Sequence, residues 1–348
     1  MASPPTANER PLLEVRNLTK HFERTRGLLR TVTGTVKAVD DVSFSVQVGE
    51  TLALVGESGC GKTTTGRCIQ RAVEPTSGEV LFAADGADGP VEVTSLGRRE
   101  LKVVMTQMGM IFQDPYSSLN PRMTIFQTIA EPFVIHRTIT RRREMEDRVT
   151  ELLRMVRLDP VYMSRYPHAF SGGQRQRIAI ARALALMPKF IVADEPVSAL
   201  DVSVQAQILE LLRELRESYG FAYLFIAHNL AVVEYFSETI AVMYVGKIVE
   251  MTSTRELFTR PKHPYTEALF SAVPKPDPRY RKKRILLTGD IADPADPPTG
   301  CYFHPRCRFA QQICKEVEPP LVDVSQDPKN PHFASCHFAR ELDLTGVG

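Results

Sequence analysis

A glycine-rich segment from Gly56 to Thr64 has the residue types needed to hold a phosphate group. Its sequence, Gly-Glu-Ser-Gly-Cys-Gly-Lys-Thr-Thr, fits the pattern G-x-x-x-x-G-K-[ST] with an extra glycine at Gly59. Glycines let the backbone approach a phosphate, and the loop amides and the next helix N-terminus attract negative charge. Lys62 is expected to reach the β- and γ-phosphates, and Thr63 to bind Mg²⁺. The predicted nucleotide contacts in this segment are Gly56, Ser58, Gly59, Cys60, Gly61, Lys62, Thr63 and Thr64.

The residues around this segment predict a strand before it and a helix after it. Thr51–Val55 is a short apolar run, and Thr64–Arg71 can open a helix. A chance glycine-rich turn is the alternative, but the order of strand, loop and helix argues against it. The sequence therefore predicts nucleotide binding.

Two acidic residues follow a second apolar run, Phe190–Ala193, which predicts a buried parallel strand. A carboxylate at the carboxyl end of such a strand faces the ligand crevice. Asp194 is expected to bind Mg²⁺, and Glu195 to polarise the attacking water as a general base. A helix N-cap is the alternative role for two acids after a strand.

Three further residues could contact the nucleotide, although each has an ordinary alternative. Gln113 ends an apolar run, where it could contact Mg²⁺ or the attacking water, or simply face solvent in a loop. His228 follows the apolar run Tyr223–Ala227 and could contact the γ-phosphate, or be an ordinary hydrogen-bonded histidine. Phe22 could stack on an adenine ring, or be a half-buried phenylalanine.

The segment Ser171-Gly172-Gly173-Gln174 precedes a predicted helix from about Arg175 to Leu186. It is either a second anion-binding helix N-terminus or a plain helix cap. One chain has no obvious need for two phosphate sites. A dimer does, if each protomer offers one site to the other's nucleotide.

The bulk composition suits a globular protein with one large domain or two smaller ones. The chain has 348 residues, 43% hydrophobic and 24% charged. Its formal net charge of +2 predicts no strong attraction to nucleic acid. No apolar run has the length of a membrane span, and Met1–Arg10 lacks the apolar core of a signal peptide, which predicts a short disordered lead and a cytoplasmic chain.

The order of the predicted elements indicates an α/β fold. Alternating strands and helices predict a mostly parallel core sheet. The strand patterns Leu12–Leu18 and Val42–Val48 precede it. A helical insert follows at about 118–186, where one amphipathic helix has its apolar residues at Met145, Val149, Leu152, Leu153 and Val156.

The composition changes beyond about Pro261, where prolines crowd together and Arg279–Arg284 is basic. We interpret this part as a linker followed by a small module with the cysteines Cys301, Cys307, Cys314 and Cys336. Four thiolates suit Zn²⁺ or an iron–sulfur cluster, and unligated cysteines are the remaining alternative. The absence of C-x2-C spacing weakens the zinc interpretation.

Taken together, these residues resemble an ATP-binding cassette (ABC) ATPase over about residues 11–260. The family's motifs are the Walker A loop Gly56–Thr64, the Q-loop Gln113, the signature Ser171–Gln174, the Walker B strand Phe190–Glu195, the D-loop Ser198–Asp201 and the H-loop His228. Asp114–Pro121, His263–Tyr265 and the four-cysteine tail resemble the dipeptide/oligopeptide importers. Gly27–Leu29 and Tyr302–Cys307 are most similar to their F-type ATP-binding subunit.

The resemblance implies a cassette with an antiparallel N-terminal β subdomain, a helical signature subdomain at about 118–186, and an extension at 261–348. Phe22 would stack on adenine, Gln113 would also bind Mg²⁺, and Asp201 would contact the nucleotide. Ser171–Gln174 would contact the γ-phosphate of ATP held by a partner subunit. The four cysteines are candidate ligands of a [4Fe–4S] cluster. Asn229 and Ala169 depart from common family residues without touching a position assigned to chemistry.

The implied activity is ATP hydrolysis that powers peptide import. The implied partners are a second ABC ATPase, two transmembrane permease subunits and an extracytoplasmic substrate-binding protein. The chain would lie peripherally on the cytoplasmic face of the inner or plasma membrane. Oligosaccharide, glutathione or nickel cargo stays open. A soluble nucleic-acid-associated ATPase is the main rival, and the charge balance and single cassette argue against it.

Overall fold

The computed structural model describes residues 10–26, 31–272, 285–327 and 329–347. Several sequence interpretations fall wholly or partly outside these residues: the N-terminal lead, Gly27–Leu29, Pro274, Pro276, Pro278 and the basic run Arg279–Arg284. Within the described ranges, no helix is both long enough and apolar enough to cross a membrane.

The chain alternates strands and helices. The strands are β1 (Leu13–Arg26), β2 (Thr31–Val46), β3 (Thr51–Val55), β4 (Ser77–Phe82), β5 (Val91–Glu92), β6 (Met108–Ile111), β7 (Phe190–Asp194), β8 (Ala222–Ala227), β9 (Thr239–Tyr244), β10 (Lys247–Ser253), β11 (Val322–Asp323) and β12 (Phe333–Ala334). The helices are α1 (Lys62–Ile69), α2 (Arg98–Val104), α3 (Pro115–Ser118), α4 (Ile125–His136), α5 (Arg142–Met155), α6 (Gly172–Leu184), α7 (Val202–Tyr219), α8 (Leu230–Phe236), α9 (Thr254–Thr259), α10 (Pro264–Ser271) and α11 (Gln312–Glu316).

The described residues form two compact units. The helical unit comprises those in Met1–Glu14, Ser45–Glu50 and Leu81–Phe225. The loop unit comprises those in Val15–Phe44, Thr51–Val80 and Ile226–Gly348. The loop unit thus contains both the glycine-rich segment and the described part of the chain after residue 260.

The loop unit is built on the strand order β11-β12-β10-β9-β3. The fully buried strand β3 pairs with β9 in parallel, from Leu52 opposite Thr239 to Val55 opposite Val242. β10 pairs antiparallel with both β9 and β12. A second sheet has the order β2-β1-β4. The phosphate loop follows β3 directly in the chain and therefore lies at the carboxyl end of this strand.

The helical unit has the strand order β8-β7-β6, with β6 and β7 parallel, and the end of β4 pairs antiparallel with β5. The amphipathic pattern of α5 is confirmed, because Val149, Leu152, Leu153 and Val156 are buried. Helix α6 begins at Gly172, three residues before the predicted start, because Ser171 caps it. The two parallel pairs confirm the predicted α/β class with parallel core strands, and the antiparallel strands β10–β12 are an addition at one edge.

Buried polar contacts anchor the C-terminal part of the chain to β10. Glu250 of β10 is fully buried, and its carboxylate accepts from the backbone N–H of His263 (3.0 Å) and contacts His332 Nε2 (2.7 Å). Burial lowers the pKa of His263 to about 3, so this residue stays neutral at physiological pH. The residues predicted to form a small C-terminal module therefore contribute two strands, β11 and β12, and buried contacts to the loop unit.

Candidate nucleotide-binding site

The glycine-rich segment forms the turn between β3 and α1, as predicted. Gly61 has φ +109°, and a Cβ at this position would lie 2.1 Å from the carbonyl oxygen of Ala38. An L-residue would be strained in this conformation and would collide with the neighbouring backbone. The backbone therefore accepts only glycine where the loop enters α1.

The cationic side chain of the loop is held by the loop itself. Lys62 is buried, and its Nζ donates to the carbonyl oxygens of Gly56 and Glu57, both at 2.9 Å. Burial raises the pKa of the neighbouring Cys60 thiol, which therefore stays uncharged. Ser58 is exposed, and Thr63 and Thr64 are half-buried in the first turn of α1. The loop thus holds a positive charge beside backbone amides, as a polyphosphate site requires.

Two more of the predicted residues lie in the loop unit. The Phe22 ring is 41% exposed, with Lys20 Nζ 4.9 Å from its centroid. An exposed ring is available for stacking, in contrast to the half-buried alternative. His228 is exposed directly after β8, and the next residue, Asn229, caps α8 by accepting from the N–H of Ala231 (3.1 Å). Asparagine is among the residues preferred at a helix N-cap, so Asn229 fits this position.

The structure joins two predicted catalytic residues in the helical unit. Gln113 Nε2 donates to Glu195 Oε2 at 2.9 Å. Glu195 has φ +46°, an uncommon conformation for a residue other than glycine, and Asp194 just before it is 1% exposed at the end of β7. Strained backbone clusters at functional sites, so this feature agrees with a catalytic role. Sequence patterns gave no signal for either the hydrogen bond or the φ angle.

The segment after Gln113 is ordered by its own side chains. Asp114 caps the short helix α3 by accepting from the N–H of Tyr116 (2.8 Å), which lowers the pKa of Asp114. The Arg175 guanidinium of α6 lies 4.1 Å from the centroid of the exposed Tyr116 ring. The segment that directly follows Gln113 in sequence therefore contacts helix α6 through Tyr116 and Arg175.

The segment Ser171–Gln174 is a capping box at the start of α6. Ser171 Oγ accepts from the N–H of Gln174 (3.4 Å), and the Ser171 N–H donates to Gln174 Oε1 (3.1 Å). Ser171 and Gln174 therefore cap α6, and Gly172 and Gly173 form the first turn behind the cap. Ser171 is exposed, so the cap leaves a helix N-terminus open to an anion. Asp201 is exposed directly before α7.

The four C-terminal cysteines share one cavity of the loop unit. Cys301, Cys307, Cys314 and Cys336 line it together with three histidines and aromatic rings. Burial raises the pKa of Cys301 to about 12, and the three other thiols act in the same direction. No group of three or more potential ligands among the described residues is arranged to hold a single metal ion.

The predicted residues thus fall into two sets. The loop unit holds Phe22, Gly56–Thr64, His228 and the four cysteines. The helical unit holds Gln113, Ser171–Gln174, Asp194, Glu195 and Asp201.

The sequence did not predict that Glu57 of the loop would contact Tyr265 and Arg306, which lie more than 200 positions away along the chain.

Two family models match the chain. The "ABC transporter" model matches residues 39–198, which include both Walker motifs, Gln113 and the signature segment. The model "Oligopeptide/dipeptide transporter, C-terminal region" matches residues 249–314, which include His263–Tyr265 and three of the four cysteines.

Relatives match the chain almost from end to end. The "Oligopeptide transport ATP-binding protein AppF" of Bacillus subtilis is 48% identical, over 95% of this chain and 98% of its own length. The "Probable peptide ABC transporter ATP-binding protein y4tS" of Sinorhizobium fredii is 52% identical, over 94% of this chain and 89% of its own length.

A solved structure supports the fold. The ATP-binding cassette MJ0796, in a dimeric post-hydrolysis state bound to ADP and Pi, superposes with a TM-score of 0.60 at 30% identity, over 70% of this chain and 99% of its own. This chain belongs to the ABC transporter ATP-binding proteins that carry the oligopeptide/dipeptide transporter C-terminal region.

Proposed function

We propose that this protein is the ATP-hydrolysing subunit that powers import of dipeptides or oligopeptides through a membrane ABC permease, and that it is most like the F-type subunit. The observation that carries this proposal is the match along nearly the whole chain to ATP-binding proteins named for peptide transport. Its motif residues are complete, which supports an active ATPase. The cassette would span 11–260, with helices at about 118–186, and the extension 261–348.

Each candidate residue then has a role in ATP hydrolysis. Lys62, released from the loop carbonyls, would bind the β- and γ-phosphates, and Phe22 would stack on adenine. Thr63, Gln113 and Asp194 would hold Mg²⁺, which neutralises phosphate charge when bound. Glu195 would accept a proton from the attacking water, which Gln113 helps to orient.

The remaining motif residues would serve a second ATPase subunit. We propose that two such subunits close head to tail. The signature segment Ser171–Gln174 and Asp201 would then contact the ATP of the partner, and His228 the γ-phosphate of its own ATP. The exposed Ser171 at the α6 N-terminus supports this arrangement.

Exposed apolar side chains of the helical unit support docking on a permease. Tyr116, Val134, Ile135, Val161 and Tyr166 are all exposed, and the first follows Gln113 by three residues. We propose that this region contacts two transmembrane permease subunits, with the chain peripheral on the cytoplasmic face of the membrane. Cargo would reach the permease from an extracytoplasmic substrate-binding protein.

The proposal is tested by the ATPase activity of the protein reconstituted with its permease and binding protein. Dipeptides and oligopeptides are expected to stimulate hydrolysis, whereas oligosaccharides, glutathione and nickel are not. Stimulation by one of these other solutes alone would show that the protein powers an importer with a cargo other than peptides. No response to any solute, combined with salt-sensitive DNA binding, would replace the importer with a nucleic-acid-associated ATPase.

We further propose that Cys301, Cys307, Cys314 and Cys336 hold a [4Fe–4S] cluster. Their shared cavity and their number support this donor set. The cysteine spacing lacks the C-x2-C pair common in zinc sites, which favours the cluster over zinc.

Anaerobic purification is expected to give iron and acid-labile sulfide in roughly equal amounts, about four of each per chain. Cys336→Ser should lower both. Cys68→Ser is the matched control, because Cys68 is buried in α1 and does not line the cavity, so iron content should be unchanged. Stoichiometric zinc without iron would rule out the cluster.

A further inference from the structure

Two residues of the C-terminal extension, Tyr265 and Arg306, contact the phosphate loop at Glu57. We propose that Tyr265 and Arg306 are positioning residues of the nucleotide site, which set the affinity for ATP by fixing Glu57. This inference rests on the proposed function, since it assumes that the loop binds ATP. Both residues belong to the loop unit, as does Glu57.

Arg306 holds the Glu57 side chain at two points. Its Nη1 donates to Oε2 at 2.7 Å and its Nη2 to Oε1 at 3.1 Å. The Arg306 side chain is only 7% exposed and that of Glu57 25%, so solvent competes little for this pair. Bidentate arginine–carboxylate pairs fix geometry as well as adding energy. The carboxylate of Glu57 therefore has one defined position.

Tyr265 holds the Glu57 backbone. The Glu57 N–H donates to Tyr265 Oη at 2.9 Å. The Tyr265 ring is fully buried, with Tyr244 and Phe303 at centroid distances of 4.7 and 5.4 Å. A ring packed in this way cannot move its hydroxyl away from the loop without disturbing its neighbours.

The local sequence explains why Tyr265 points as it does. His263 caps α10, its Nδ1 accepting from the N–H of Tyr265 at 3.1 Å, and Pro264 occupies the first helical position, where it needs no hydrogen bond. Tyr265 therefore sits in a fixed first turn. The motif His263-Pro264-Tyr265, which the sequence offered only as a resemblance, thus has a physical role.

Glu57 also contacts Lys62, the side chain that would bind phosphate. The Glu57 carbonyl oxygen accepts from Lys62 Nζ, so the residue is held on its N–H, its side chain and its carbonyl. Loss of either outer contact would let this part of the loop move with Lys62. The effect should fall on ATP binding and not on the chemical step, because Glu195 belongs to the other unit.

The arrangement also ties the loop to the four-cysteine region. Arg306 ends a 3₁₀ turn, His304–Arg306, and lies directly before Cys307. The turn is closed by the His304 N–H, which donates to the Cys301 carbonyl (2.9 Å), and by the Cys307 N–H, which donates to the His304 carbonyl (3.2 Å). The position of Arg306 therefore depends on the backbone between two of the cysteines.

The test compares Arg306→Gln, Arg306→Lys and Tyr265→Phe with the wild type. We expect the dissociation constant of the full chain for a fluorescent ATP analogue, and the KM for ATP of the reconstituted complex, to rise about 10-fold in Arg306→Gln, the scale for a lost charged hydrogen bond. The kcat should stay nearly constant. Arg306→Lys should recover part of the affinity, because lysine keeps the charge but loses the second hydrogen bond.

Arg308→Gln is the matched control. Arg308 lies two residues further on and pairs with Glu267 (2.7 Å), so its loss should leave the affinity for ATP unchanged. Arg306→Gln should also have no further effect in a Glu57→Gln background, since Arg306 acts through that carboxylate. A merely structural role would instead lower the melting temperature equally in both backgrounds and leave nucleotide affinity alone.

Unchanged nucleotide affinity in Arg306→Gln and Tyr265→Phe would overturn the inference, as would an equal loss of affinity with and without Glu57. Failure of the proposed function gives a different pattern. If peptides do not stimulate the ATPase activity of the wild-type complex, peptides are not the cargo. The nucleotide dissociation constants of the purified variants would still decide the roles of Tyr265 and Arg306.

Discussion

Replacing Glu195 by glutamine is expected to lower ATP turnover by about 10²- to 10⁴-fold, the scale for loss of a general base. Nucleotide binding should persist, because the candidate phosphate contacts lie in Gly56–Thr64. The amide has nearly the same shape as the carboxylate. Its oxygen can still accept the hydrogen bond from Gln113, which is 2.9 Å long in the native protein. The substitution therefore removes basicity while it conserves the local geometry.

The measurement is single-turnover ATP hydrolysis with a parallel binding assay. Glu214→Gln makes the same chemical change in the same unit, at a side chain that is 43% exposed and pairs with Arg157, and should hydrolyse ATP at the wild-type rate. Exposed ion pairs contribute little, so the control should also fold normally. Turnover close to wild type in Glu195→Gln would show that another group accepts the proton.

Local sequence patterns were sufficient for much of the fold. The strand before the phosphate loop, β7 before Asp194 and β8 before His228 were predicted because each is a continuous apolar run. The buried face of α5 followed from helical periodicity. These signals work because the residues that cause them are neighbours in sequence.

Contacts between distant residues could not be predicted in the same way. Gln113 and Glu195 are 82 positions apart, and Glu57 and Arg306 are 249 apart. Strands β11 and β12 have only two residues each, too few for any alternation to be visible. Because β12 cannot be recognised in the sequence, composition alone suggests that the chain beyond residue 260 is a module of its own. Its packing in the loop unit depends on Glu250, whose buried contacts have no sequence pattern.

Replacing Gly61 by alanine is expected to weaken nucleotide binding by about 100-fold. The left-handed backbone costs an L-residue about 1–2 kcal/mol. The added Cβ would lie 2.1 Å from the backbone oxygen of Ala38, and such overpacking costs typically about 1–3 kcal/mol more. Together these costs come to about 2–5 kcal/mol, a range that contains the roughly 2.8 kcal/mol corresponding to a 100-fold change in affinity. Because the clash is with backbone, the loop itself must move, and Lys62 moves with it.

Gly59→Ala separates backbone strain from collision. Gly59 has φ +80°, yet a Cβ there would meet no atom within 4 Å. Only the strain remains, so affinity should fall by about 10-fold, which corresponds to roughly 1.4 kcal/mol. The dissociation constant of a fluorescent nucleotide, measured on both variants alongside thermal unfolding, checks the difference. Equal dissociation constants for Gly59→Ala and Gly61→Ala would mean that the loop can move to relieve the collision. The close approach of Gly61 to Ala38 would then have no part in shaping the phosphate site.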